Sequence, residues 1–141
     1  MPLRNTPSNL GLDIDGVITS NPQFFSLLSS QWRKEGGEVH IVSSRSHRDE
    51  VIKATKEELR ILGVTYDFLY LLPSIEEAQI HCPERDLDWY QRYLWQKVDY
   101  CLKNHVEYFY DDDLKVVELF QTLAPKINIF HVIPDIKDMC F

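Results

Sequence analysis

The sequence is short of several things, and each shortage closes off a class of protein. Its three cysteines, Cys82, Cys101 and Cys140, are odd in number and show no CxxC spacing, so free thiols in a reducing compartment are expected rather than a disulfide framework or a thiolate metal site. No stretch approaches the ~18–20 apolar residues of a membrane span, and Met1-Pro2-Leu3-Arg4-Asn5-Thr6-Pro7 lacks the apolar run of a signal peptide. The expectation is a cytoplasmic protein with no membrane partner. Positive charge is scarce: 15 Lys and Arg stand against 22 Asp and Glu, a formal charge of −7. That field opposes polyanions and no basic groove is visible, which disfavours nucleic acid as a partner. Repeats, linkers and low-complexity segments are also missing. With 141 residues, 44% of them hydrophobic, one domain over 1–141 with its core at about 9–134 is expected, and the composition is compatible with an oligomer.

What is present is an alternation of short apolar runs and amphipathic segments. Leu10-Gly11-Leu12-Asp13-Ile14, broken by Asp15-Gly16, reads as a buried strand ending in a tight turn. Phe24, Phe25, Leu27, Leu28 and Trp32 recur at helical spacing until Gly36-Gly37, and Glu38 to Val42 reads as a second strand. Asp49 to Leu62 carries a helical stripe ending at Gly63, a residue suited to a left-handed C-terminal turn. Val64 to Leu72 reads as a third strand, followed by an irregular stretch through His81-Cys82-Pro83-Glu84. A helix with Leu87, Tyr90, Leu94, Val98, Cys101 and Leu102 on its buried face comes next, then a fourth strand over Val106–Tyr110. A short helix around Val116 to Phe120 and a fifth strand over Ile127–Ile133 complete the pattern. The residues after Pro134 are expected to be poorly ordered. Such alternation predicts an α/β fold: a parallel sheet of about five strands with helices on both faces, binding ligands beyond the carboxyl ends of the strands.

The polar residues at those strand ends are Asp13-x-Asp15-Gly16, Ser43-Ser44-Arg45 and Asp111-Asp112-Asp113. In a parallel sheet all of them meet at one edge, where carboxylates so far apart in sequence repel one another unless a cation neutralises them. An oxygen-only donor set selects a hard ion, and Mg²⁺ fits best because it takes a few carboxylates and keeps waters that a phosphate can displace. Two carboxylates two residues apart can divide the labour of phosphoryl transfer: one attacks to form an aspartyl phosphate, and the other protonates the leaving oxygen and later activates water.

Leu12-Asp13-Ile14-Asp15-Gly16-Val17 resembles the first motif of the haloacid dehalogenase (HAD) superfamily of phosphohydrolases. Ile41-Val42-Ser43-Ser44-Arg45 resembles the second, and the acidic pair Asp111-Asp112 the fourth. The third is a lone lysine, for which Lys97 is the candidate because Lys103 lies too close to the fourth strand. The resemblance runs from about Leu10 to Ile133, and the motifs stand in the family's order. It implies a three-layer Rossmann-like (HAD-like) fold in which Asp13 is phosphorylated and Asp15 is the acid and base. It further implies Ser43 and Lys97 as catalytic, with Ser43, Ser44, Lys97 and Gly16 around the phosphate and Asp13, Asp15, Asp111 and Asp112 around Mg²⁺. Room for an inserted cap is small on either side of Ser43, so a capless member with an open site is expected.

Each signal has a plainer reading. A DxDG can be only a turn, Asp113 can serve a helix N-terminus, Ser43 can cap a helix, and Arg45 can be a surface residue outside the catalytic set. His81 and Cys82, with His105 or Cys101, lack metal-ligand spacing. Trp89, Tyr90, Tyr93 and Trp95 are expected to pack the core rather than stack nucleobases. The expected substrates are nucleotides or other small phosphomonoesters. Similarity of the segment from Asp111 to Glu118 to the phosphatase domain of phage polynucleotide kinases implies 3′-phosphorylated polynucleotide ends as the alternative. A response-regulator receiver places its acidic pair after strand one and its phosphorylated Asp after strand three, an order this chain does not follow. A catalytically silent HAD-like module that binds phosphate is the remaining alternative.

Overall fold

The computed structural model describes residues 8–133; Cys140 and the segment from Pro134 onward lie outside them. The chain runs β1 (Asn9–Leu12), a 3₁₀ turn (Ile18–Ser20), α1 (Pro22–Lys34), β2 (Val39–Ser43), α2 (Asp49–Leu62) and β3 (Phe68–Leu71). It continues through α3 (Ile75–His81), α4 (Trp89–Lys103), β4 (Val106–Asp111), α5 (Leu114–Leu123) and β5 (Asn128–His131). The strands form a five-stranded sheet of order β3-β2-β1-β4-β5, and all four pairings are parallel. This is the Rossmann-like α/β architecture the alternation predicts.

Local chemistry sets most of the boundaries. Asn21 accepts a hydrogen bond from Phe24 N and Pro22 opens α1, a pre-organised helix start. Gly63 ends α2 at φ +75°, and Asp88 with Gln91 closes a capping box on α4. Two expectations need correction. Strand three begins at Phe68, not Val64, because Val64 N bonds back to Leu59 O and the Asp67 carboxylate receives Val39 N. The stretch called irregular holds α3, a short helix capped by Ser74 through Glu77 N, too brief to show periodicity.

The two sheet faces carry separate cores. Leu10, Leu12, Val39 and Ile41 face Phe25 and Leu59 of α1 and α2, while Val42 and Phe109 face Leu94, Val98, Val116 and Phe120 of α4 and α5. Gly11 looks to the second face, where any Cβ would overlap the Phe109 ring. Strand order reverses between β1 and β4, so the crevice lies at their carboxyl ends. Among the described residues only the 3₁₀ turn and α1 lie between β1 and β2, and only α2, β3 and α3 between β2 and α4. There is no cap among them, nor any helix long and apolar enough to cross a membrane.

Candidate functional site

Strand alternation explains what meets in the crevice. Asp13 follows Gly11 by two residues and Asp111 follows Phe109 by two, so both carboxylates turn to the α4 face. There they meet Lys97, whose ammonium lies 2.7 Å from Asp111 and 3.4 Å from Asp13. Lys97 is 1% exposed, Asp111 0% and Asp13 5%. Burial alone would lower the proton affinity of Lys97, but the two carboxylates reverse this and hold its pKa above the ordinary lysine value.

Asp112 completes the group: Asp13, Asp111 and Asp112 each place an oxygen within 4.8 Å of the others. Asp13 N donates to Tyr110 O (3.1 Å), tying the end of β1 to β4, and Asp113 N donates to Asp111 Oδ1 (2.9 Å). Gly16 gives the cluster room. It sits at φ +81°, and a Cβ there would overlap the Asp112 carboxylate. Burial, with Asp111 and Asp112 outweighing Lys97, pushes the Asp13 carboxyl up to about 7, and burial with Asp111 also raises Asp112. Three crowded carboxylates, with Asp13 and Asp112 raised in proton affinity, could hold a hard divalent cation.

Asp15 stands apart. Arg45 grips it through two hydrogen bonds, Nε to Oδ2 at 3.0 Å and Nη2 to Oδ1 at 2.8 Å, and this pairing lowers its pKa. The Asp15 side chain is otherwise open, 65% exposed. The structure therefore brings Asp13, Asp111 and Asp112 together but not the Asp15 carboxylate, whose two oxygens face Arg45 where the chain turns toward Gly16. Arg45, expected to be an uninvolved surface residue, also contacts Glu58 at 2.6 Å and Thr55 Oγ1 at 3.2 Å.

Ser43 ends β2 buried at 1% exposure and accepts Arg45 N at 3.2 Å. It caps no helix, since α2 starts at Asp49 after Arg48. Ser44 is exposed and its carbonyl receives Tyr93 Oη at 2.8 Å. Gly16 N donates to Thr19 Oγ1 at 2.9 Å, so its contribution in this structure is space for Asp112. Lys103 is exposed and paired with Asp99 at 2.8 Å, far from this role. Asp113 caps α5 through Lys115 N and receives Tyr90 Oη at 3.0 Å. Cys82 and Cys101 are buried free thiols.

Arg45, Tyr90 and Tyr93 were not singled out as site residues by sequence reasoning. Arg45 carried a signal, its place directly after a strand end at the crevice edge. The tyrosines carried only their three-residue spacing on one helix face.

The fold and site define a three-layer Rossmann-like α/β protein with an acidic crevice at its topological switch point. No protein-family model matches the chain, and no curated protein does at a significant level. Among solved structures it is similar to a chain of the Pnkp1/Rnl/Hen1 RNA repair complex, with a TM-score of 0.64 at 16% identity. A second structure of the Pnkp1/Rnl/Hen1 complex gives 0.62 at 17%. The alignments cover 92% and 94% of this chain but 43% and 48% of those chains, so it spans less than half their length.

Proposed function

We propose that this chain is a single-domain, Mg²⁺-dependent phosphomonoester hydrolase of the HAD type, acting through an aspartyl phosphate on Asp13. The observation that carries the reading is the Asp13, Asp111 and Asp112 cluster within 4.8 Å, set beside a fully buried lysine at the sheet's switch point. A structural ion pair needs one carboxylate per ammonium; a third crowded carboxylate costs stability unless a cation is to be held. Mg²⁺ held by Asp13, Asp111 and Asp112 would supply charge neutralisation for an incoming phosphate.

In the proposed reaction an Asp13 carboxylate oxygen attacks phosphorus and the ester P–O bond breaks. The leaving oxygen takes a proton from Asp15. Water then attacks the acyl phosphate as Asp15 recovers a proton, releasing inorganic phosphate and free Asp13. Lys97 holds Asp13 in place and offsets its charge, and Ser43 donates its hydroxyl proton to a phosphoryl oxygen, with Ser44 beside it. The acid role requires Asp15 to leave Arg45, so the ion pair described above is a resting arrangement.

Nucleotides or other small phosphomonoesters are the first substrate class, consistent with a site that no cap encloses among the described residues. A second reading, a terminal phosphate on a polynucleotide, is favoured by the fold's likeness to chains from an RNA repair complex. The test is hydrolysis of a generic aryl phosphate with Mg²⁺ by the wild type and by Asp13→Asn. The expected result is turnover in the first and none in the second, with the variant still folded by circular dichroism. Turnover by Asp13→Asn would end the aspartyl-phosphate reading, and an inert wild type would favour the silent phosphate-binding module.

A further inference from the structure

The aromatic residues of α4 do not all pack the core. Because α4 leads into β4 through a short turn at residues 104–105, its N-terminus lies at the carboxyl edge of the sheet, the edge of the carboxylate cluster. Two of its tyrosines are fastened to that edge on opposite sides. Tyr93 Oη donates to Ser44 O at 2.8 Å, and Tyr90 Oη donates to Asp113 Oδ2 at 3.0 Å. Trp89, expected to be buried, is 59% exposed. Its ring meets Tyr90 edge-on, with centroids 5.6 Å apart, and its backbone is pinned by Gln79 Nε2 at 3.1 Å. Lys115, exposed at the start of α5, holds its ammonium 5.2 Å from the Tyr90 ring centroid.

We infer that Trp89 and Tyr90 form a stacking platform for a nucleobase, with Lys115 meeting a neighbouring backbone phosphate. The platform favours the second of the two substrate classes above, the phosphorylated end of a polynucleotide, in single-stranded form. This rests on the phosphohydrolase reading and names the substrate class of that site. Three observations select this occupant. The platform is continuous with the site, since Tyr90 bonds Asp113 and Asp113 N bonds Asp111. An exposed indole at a fixed backbone position offers a π-face, which every base can use without sequence readout. A lysine beside the rings supplies the point charge that an inner phosphate requires and a lone phosphomonoester does not. At a net charge of −7, binding has to come from such a local arrangement rather than from the overall field.

The test compares kcat/KM, with Mg²⁺, on a single-stranded oligonucleotide bearing a terminal 3′-phosphate, a nucleoside 3′-monophosphate and an aryl phosphate. In Trp89→Ala the ratio of the oligonucleotide value to the aryl phosphate value falls about 5- to 150-fold, the range for losing one stacked base. Trp89→Phe keeps most of the ratio, and an oligonucleotide abasic at its phosphorylated end reproduces the loss in the wild type. Lys115→Ala reduces by about one the slope of log kcat/KM against log salt on the oligonucleotide. An unchanged ratio in Trp89→Ala, with aryl phosphate still hydrolysed by the wild type, overturns the platform and leaves the phosphohydrolase standing. A loss confined to the mononucleotide overturns the polynucleotide assignment. A wild type inert on all three substrates removes the phosphohydrolase reading and the platform with it.

Discussion

Replacing Lys97 with methionine isolates the electrostatics of the crevice from its packing. Methionine keeps an unbranched stem of similar reach, so the shape change costs less than about 1.5 kcal/mol. The lost charge costs far more. The ammonium sits 2.7 Å from Asp111 and 3.4 Å from Asp13, and all three groups are at most 5% exposed. Removing one partner of a buried pair strands a charge at about 3–5 kcal/mol, a large part of the 5–15 kcal/mol that holds a domain of this size together. At roughly 4 °C per kcal/mol, Tm falls by about 12–20 °C. The folded-state pKa of Lys97 is raised, so its own contribution is fully present below the ordinary lysine range and is lost only as pH rises through the raised value; at neutral pH Lys97 is fully charged. The assay is urea unfolding in a chelator, with Asp111→Asn and the double variant closing a cycle. The double variant should be more stable than Lys97→Met, because one of the two stranded carboxylates, the nearer one, has gone. A cost under about 1 kcal/mol for Lys97→Met, or no recovery in the double variant, would refute the view that Lys97 balances these carboxylates.

Other outcomes follow from the same geometry. Millimolar Mg²⁺ should raise the wild-type Tm, by the equivalent of about 2.7 kcal/mol at a hundredfold excess over Kd, and Asp111→Asn or Asp112→Asn should abolish the rise; an unchanged melting curve would argue against a cation at the cluster. Gly16→Ala should cost about 1–2 kcal/mol from its left-handed backbone and displace Asp112, so the Mg²⁺-dependent rise in Tm should shrink more than the stability itself. Asp15→Asn should slow alkyl phosphates more than the first step with a nitrophenyl phosphate, because only the poor leaving group needs a proton, and rapid quench with mass detection should find phosphate trapped on Asp13. Equal slowing of both substrates with no trapped intermediate would remove Asp15 from the acid and base role.

Periodicity made most of the fold legible. The stripes on α1, α2 and α4 and the apolar runs of β1, β2 and β4 are properties of neighbouring residues, and neighbours are what a sequence shows. What escaped was set by contacts distant in the chain. The start of β3 depends on Asp67 binding Val39 N, and α3 spans only Ile75–His81, too little for a stripe. At the site, the convergence of Asp13 with Asp111 was readable because both end strands of one parallel sheet. The fate of Asp15 was not, since it depends on Arg45 reaching across from the end of β2. Trp89 differs for a related reason: helical spacing identifies which residues share a face, but not that the first residue of α4 stays exposed.

The two aspartates of the first motif show how a turn of one residue separates two chemistries. Asp13 stays in line with β1, is buried beside Asp111 and Asp112, and has its proton affinity raised. Asp15 leaves that line at Gly16, reaches solvent and Arg45, and has its proton affinity lowered. Taken alone, these directions would make Asp13 the proton donor and Asp15 the base. The cause of the first shift argues otherwise. It comes from burial and from two neighbouring carboxylates, and a divalent cation among those oxygens would oppose both, leaving Asp13 ionised for the nucleophilic role proposed for it. The second shift rests mainly on the half-buried Arg45 guanidinium gripping an exposed carboxylate, a pairing with which an entering phosphate dianion would compete, leaving Asp15 free to take up a proton. Under the proposed function, a phosphate and a divalent cation entering the crevice together would lower the proton affinity of Asp13 and raise that of Asp15.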